Sequence, residues 1–455
     1  MLITRTAVAG LAPSLDGHVI TPEDVGYDES RQAFNLSIDL RPAAVVIAHS
    51  AQDVAATVRF ARARGLRVAP QGTGHNAAPL GSLDDVILLR TGAMKEVDID
   101  FGAGQARVEA GVVWGEVADL AAPVGLAALA GSSRNVGVVG YTLGGGLGWL
   151  ARKHGLACNS VTAIELVTGE GEQVRVDADH DPELFWALRG GGGNFGVVTA
   201  LEFRLYPVSQ LYAGALFFPI ERAGEVLHAW NGWTAEVPDE ITSVGRILQV
   251  PPMPDVPEFL RGRAFAVVEA ACLLDEAAGA EALAPLRELG PEIDTFSMVD
   301  PSALGYLHMD PDGPVPAALS GHQLLGELPA AAIDEVVRLA GPGSGSPLLS
   351  YELRHTGGEA GRGTPGNGAL PCLRGTFCSF AIGVPDGPET ARAIGERTAA
   401  LNEALSAHDA GRYLNFVEEA AGAAPAFWPS TLEQLRAVAE RVDPDGLIVA
   451  NHPVR

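Results

Sequence analysis

The sequence predicts an α+β protein of two domains, the second an antiparallel sheet with helices over one face. Three observations carry this. At 455 residues the chain is longer than one hydrophobic core usually serves. From Arg41 to Pro207, short β-type runs alternate irregularly with glycine clusters and amphipathic stretches, unlike the regular strand–helix repeat of a doubly wound sheet. After Pro207 the apolar runs lengthen and helical stretches stand between them.

Taken in order, Ala44–His49 is a strand, and Ala51–Arg64 carries apolar residues at helical spacing behind Ser50 as N-cap. Leu66–Pro70 is a strand ending in the turn Gly72-Thr73-Gly74. Val86–Leu89, Val97–Ile99 and Ala106–Ala110 are short strands, and Val112–Ala122 is a helix closed by Pro123. Val161–Val167 and Gln173–Val176 form a hairpin through Gly169–Gly171. Pro182–Arg189 is helical and Gly196–Leu205 extended. Beyond Pro207, Leu211–Phe218, Phe265–Leu274, Leu348–Leu353 and Gly375–Val384 are strands; Ala280–Leu289, Ala331–Leu339 and Glu389–Ala407 are helices. This places a first domain at 1–206, a second at 207–409, and a segment at 410–455 that returns to the first.

Composition narrows the function. With 47% apolar and 19% charged residues the chain is that of a globular protein. A net charge of -25, spread along the chain, disfavours nucleic acid and anionic lipid. A phosphate ligand would have to be buried and cradled by backbone N–H groups. Cys158, Cys272, Cys372 and Cys378 show no metal-ligand spacing, so no metal is expected and a reducing compartment is, with the cytoplasm as the expected location. The first fifteen residues lack a leader's apolar core, and no apolar run reaches the length of about 20 residues that spans a membrane.

Three stretches are dense in glycine: Gly72-Thr73-Gly74-His75-Asn76, Gly144-Gly145-Gly146-Leu147-Gly148, and Gly190–Gly193 followed by Asn194-Phe195-Gly196. Glycine lets backbone approach a ligand and lets successive N–H groups converge on an anion. A dinucleotide fingerprint of the Rossmann kind fits poorly: the 144–148 stretch follows no clear strand, and the Gly72 stretch opens no helix.

These stretches lie within a wider pattern. It comprises Pro70-Gln71-Gly72-Thr73-Gly74-His75-Asn76, then Gly131-Ser132-Ser133-Arg134-Asn135-Val136-Gly137-Val138-Val139-Gly140 running into Leu143-Gly144-Gly145-Gly146-Leu147-Gly148. Arg152-Lys153-His154-Gly155-Leu156 with Asn159, Pro182–Gly191, Asn194–Thr199 with Val198, and Tyr413-Leu414-Asn415-Phe416 complete it. In this order the chain resembles the flavoenzymes of the vanillyl-alcohol oxidase superfamily with a PCMH-type FAD-binding domain, nearest the berberine bridge enzyme-like and 6-hydroxynicotine oxidase-like branch.

The resemblance implies an FAD-dependent oxidoreductase acting on a small organic molecule, with oxygen as acceptor and peroxide as product. A dehydrogenase of the same fold, or a silent FAD-binding protein, are the alternatives. It implies that FAD lies between the domains, its pyrophosphate on the loops at Gly72–Asn76 and Gly131–Gly140, and that His75 is bonded to the flavin. The cysteine that makes a second link in many relatives is replaced by Ser133, so the tether is single. Val136 holds the position where valine accompanies oxidases. Asn415 matches a residue at the flavin's pyrimidine side.

For the base that takes the substrate's proton the resemblance offers Tyr413, which could equally pack at the domain seam with its hydroxyl satisfied. Taken as extended, the segment sets Tyr413 and Asn415 on one side, about 7 Å apart. His355 is the second candidate. Alternation in Tyr351-Glu352-Leu353-Arg354-His355 puts Tyr351, Leu353 and His355 on one face, Glu352 and Arg354 on the other. A homodimer is left open.

Overall fold

The computed structural model describes residues 8, 10–252, 258, 260–420 and 422–455. Part of the stretch read above for a leader lies outside them. The expected α+β architecture is what the structure has, with helices packed on largely antiparallel sheets.

The N-terminal portion holds two sheets. His18–Ile20, Ala44–Ile47, Val86–Arg90 and Arg67–Gln71 lie side by side in that order, the last three parallel. Helix Ala51–Arg64 forms as its sequence dictates. The Ser50 side chain accepts from Asp53 N–H at its start, and Gly65 takes the left-handed conformation that ends it. The helix packs Val54, Val58 and Ala61 onto Val46, Val68 and Leu89 of this sheet. The second sheet is antiparallel, ordered Val97–Asp100, Gln105–Glu109, Val197–Arg204, Val161–Val167 and Gln173–Asp177.

The chain then builds a nine-stranded antiparallel sheet. Its order is Ile293–Asp294, Leu211–Pro219, Ala264–Cys272, Ile241–Gln249, Ser350–His355, Phe377–Gly383, Leu319–Leu325 and Asp409–Gly411, with Ser297–Val299 also beside Leu211–Pro219. Helices Ala223–Thr234, Ala330–Ala340 and Pro388–Ala404 cover one face. Trp230, Ile333 and Leu401 interleave there with Leu216, Tyr351 and Leu353. Of the strands not named from sequence, the two longest are Ile241–Gln249 and Leu319–Leu325. Gly245, Arg246, Gly321 and His322 interrupt their apolar pattern.

The other face of the sheet turns toward the N-terminal portion. There Val244 and Ala271 meet Trp149 and Leu150. The last residues return to the first sheet, where Val68 N–H donates to Leu447 and Val449 N–H donates to Val68. Asp443, buried, accepts from both Leu447 and Ile448 N–H and so fixes that return.

Candidate active site

The site lies where three loops of the first portion meet the uncovered face of the large sheet. Strand Arg67–Gln71 ends in the turn that carries His75. Gly74 has φ +80°, and a Cβ there would stand 2.8 Å from Gln71 Nε2, so only glycine fits. Loop 131–137 lies directly against this turn, the Cβ position of Gly137 being 3.6 Å from the Thr73 side chain.

His75 is held from two sides. Its ring stacks on Phe34 with centroids 3.7 Å apart, and Nδ1 is 2.8 Å from Thr73 Oγ1. Nε2 is buried with no partner. Burial lowers the imidazole to about 4, so the ring is neutral at pH 7. Asn76 ties the turn to the C-terminal segment by donating to Val417 O at 2.9 Å.

The segment 413–416 does not run extended. Leu414–Phe416 is a 3₁₀ turn, and Tyr413 and Asn415 meet directly, Asn415 Nδ2 donating to Tyr413 Oη at 2.8 Å. The spacing expected from alternation is therefore corrected: a turn brings i and i+2 side chains together here. Tyr413 is 1% exposed. Its oxygen also accepts from Gly146 N–H at 3.0 Å and Leu147 N–H at 2.9 Å. Burial drives the phenol upward against these three donors. Asn415 presses on Gly144 so closely that a Cβ there would be 1.9 Å from Oδ1.

The other residues nominated from sequence fall into two groups. Ser132, Ser133, Val136 and Gly137 are half-buried along loop 131–137, and the Cβ position of Gly140 faces open space. Ser133 donates to Asn135 Oδ1 at 2.8 Å. The second group is engaged elsewhere. Asn159 donates to Leu370 O and Pro371 O and accepts from Gly368 N–H, Val198 is core, and the His154 ring lies 4.1 Å from that of Tyr206. Cys158 is buried, its Sγ toward Leu370 O, and burial lifts the thiol to about 12.

His355 borders a small cleft with Ser132, Leu147, Trp149 and Arg354. Arg152 Nη1 is 2.7 Å from His355 Nε2, and an arginine can only donate. The neutral ring therefore carries its proton on Nδ1, which has no partner. Burial, with Arg152 beside it, keeps His355 neutral down to about 3.

Sequence reasoning put Glu352 and Arg354 on one face but missed Arg246, Glu269 and His308, with which they form the most charged part of the site. On the uncovered sheet face, Arg246, Glu269 and Glu352 come together with His308, all buried, and with Arg354. His308 Nδ1 is 2.6 Å from Glu269 Oε2, and Nε2 is 2.9 Å from Glu352 Oε1. Arg246 pairs with Glu269 at 2.9 Å, and Arg354 donates from Nε to Glu352 at 3.0 Å. Burial alone would strip His308 of its proton, but Glu269 and Glu352 outweigh it and raise the imidazole to about 9. A lone charge inside an apolar run, Glu269 in 265–272 or Arg246 in 241–248, was the available signal. His308 gave none.

Among the described residues no group of His, Cys, Asp and Glu is placed to hold a metal, and no helix is long and apolar enough to cross a membrane.

Comparison with known proteins covers the stretch that carries these loops. Residues 42–177 match the family model described as FAD binding domain. (R)-6-hydroxynicotine oxidase from Paenarthrobacter nicotinovorans is 39% identical over 197 residues, 43% of this chain and 43% of its own. The chain spans about half the length of the curated relatives it matches. Over nearly the whole chain, the structure of 6-hydroxy-D-nicotine oxidase from Arthrobacter nicotinovorans superposes with TM-score 0.80 at 27% identity, covering 95% of this chain and 96% of that one. Physcomitrella patens BBE-like 1 gives 0.85 at 19% identity, with 99% of each chain covered, a likeness of fold.

Proposed function

Starting from a chain that carries an FAD binding domain, we propose that this protein is an FAD-dependent oxidoreductase, an oxidase that holds its cofactor covalently through His75 alone and takes a hydride from a small organic substrate. His75 carries this reading. A nitrogen that is to bond to carbon must offer a lone pair, and burial keeps this imidazole neutral. Phe34 and Thr73 fix the ring while Nε2 is left without a partner. The half-buried loops at 72–76 and 131–137, which touch at Thr73 and Gly137, fit a large ligand lying beside that ring.

The single tether follows from residue chemistry. Ser133 cannot form a thioether, and the Cys158 thiol is sealed in the core. When bound, FAD supplies a two-electron acceptor for the substrate's hydride. The chain's own residues do the rest. Backbone N–H groups of the glycine loops would hold the pyrophosphate. Tyr413 fixes the Gly146–Leu147 turn, its oxygen being enclosed by three donors. His355 borders the cleft and is held there by Arg152, its Nδ1 being buried without a partner. Val136, half-buried in loop 131–137, would leave oxygen a path to the cofactor.

Acid-precipitated protein should stay yellow, and the peptide containing His75 should carry the mass of FAD. A flavin released wholly into the supernatant refutes the tether. Peroxide formed in air during turnover separates an oxidase from a dehydrogenase passing electrons elsewhere.

A further inference from the structure

We propose that Arg354 is the substrate-anchoring residue and that the substrate carries an oxyanion, a carboxylate or an ionised phenol or enol, which the Arg354 guanidinium grips at the cleft. The inference rests on the FAD reading above and deepens it.

Three strands and one loop deliver the charges. Arg246 stands directly opposite Glu352 across adjacent strands, and Arg354 follows two residues on, on the same face. His308 closes the set from the segment before Pro311. Side-chain exposure is 4% for Arg246, 0% for Glu269, 2% for His308 and 4% for Glu352, but 14% for Arg354. Four members are thus sealed and one reaches the opening. Glu352 takes Nε and Nη2 of Arg354, and Nη1 has no partner among the described residues.

The surroundings of that free edge are the substrate's expected place. Arg354 lies over the Phe416 ring, 5.1 Å from its centroid, and lines the cleft with Ser132 and the Leu147–Trp149 turn. Ser132 belongs to the loop that touches the His75 turn. A group held by Arg354 is therefore next to where the cofactor would lie.

The open edge of Arg354 points to an anion. Glu269 and Glu352 pair with His308, Arg246 and Arg354, and Asp310 at the rim, 3.4 Å from Ser132 Oγ, adds a third carboxylate near His308 and Arg354; no acid, however, takes Arg354 Nη1 among the described residues. A buried ionic set of this kind adds little stability over apolar packing, because desolvation offsets the Coulombic gain. What it does supply is a rigid mount. Glu352, itself fixed by His308, holds the planar fork in one orientation, and a fork so held matches the two oxygens of a carboxylate.

The test uses the flavin-loaded protein with sodium benzoate and its neutral isostere benzamide, at constant ionic strength, read by the flavin absorbance difference spectrum. Benzoate should bind at least about tenfold more tightly than benzamide. Arg354→Gln should weaken benzoate by roughly ten- to a hundredfold and benzamide by less than about threefold. Arg354→Lys, a point charge without the fork, should keep a reduced preference for benzoate. Should the glutamine variant fail to fold, the wild-type ratio and the lysine variant decide. Equal binding of the two probes, no benzoate signal at tens of millimolar, or an unweakened glutamine variant overturns the proposal. A protein purified without flavin fails the FAD reading instead, and the same benzoate-to-benzamide ratio is then read by calorimetry.

Discussion

Replacing Tyr413 by phenylalanine removes one oxygen and leaves the ring in place. That oxygen is the acceptor for Gly146 N–H, Leu147 N–H and Asn415 Nδ2, inside a region where the tyrosine itself is 1% exposed. Asn415 keeps a second acceptor, Tyr141 O at 2.9 Å, so its loss is partial. Neither backbone N–H has another acceptor in the turn. A buried donor left unsatisfied costs about 1–3 kcal/mol, so two of them, with some relaxation, should destabilise the fold by about 3 kcal/mol. In urea this corresponds to a midpoint lowered by roughly 0.5–1 M. The assay is urea unfolding followed by far-ultraviolet circular dichroism and flavin fluorescence together. Because the turn sits beneath the site, the flavin signal should be lost no later than the backbone signal. An unchanged midpoint would refute the argument that Tyr413 braces the turn. If stability were intact but anaerobic flavin reduction by a substrate fell by about 100-fold or more, the oxygen would be the general base instead.

Three further outcomes follow from the same geometry. His308 is raised from 6.5 to about 9 in the fold, so its contribution to stability is complete below about pH 6.5 and disappears as pH rises through about 9. By linkage this is on the order of 3 kcal/mol, and urea midpoints measured from pH 6 to 10 should fall across that window in the wild type but stay flatter in His308→Gln. Asp443→Ala orphans the N–H groups of Leu447 and Ile448 and should cost about 2–3 kcal/mol, with amide exchange accelerated first in the C-terminal return that pairs with Val68. Val136→Leu should slow reoxidation of the reduced flavin by oxygen in stopped flow while leaving its anaerobic reduction within about threefold; equal reoxidation rates would remove Val136 from the oxygen path.

The sequence carries openly whatever is local in the chain. Helix Ala51–Arg64 has the bounds expected of it because its cap, Ser50, and its terminator, Gly65, are adjacent in sequence and act within one turn. The loop around His75 was legible for the same reason. Gly74 is required by its own backbone angle, and Thr73 reaches His75 two residues away. Even the error at Tyr413 was a local one, an extended segment assumed where a 3₁₀ turn forms.

The sequence by itself therefore determined the α+β class, the glycine loops and the local setting of His75. Tertiary structure alone decided the roof of the site. Arg246, Glu269, His308 and Glu352 come from three strands and a loop, and Arg246, Glu269 and His308 each look like an isolated charge in their own segments. They become one ionic set only when strand register aligns Arg246 with Glu352 and lays Glu269 beside them, with His308 delivered from a separate loop. Alternation along one strand assigned Glu352 and Arg354 to a common face, but not what that face meets. The partner surface is made by other strands, through hydrogen-bonded pairing that no single stretch of sequence encodes.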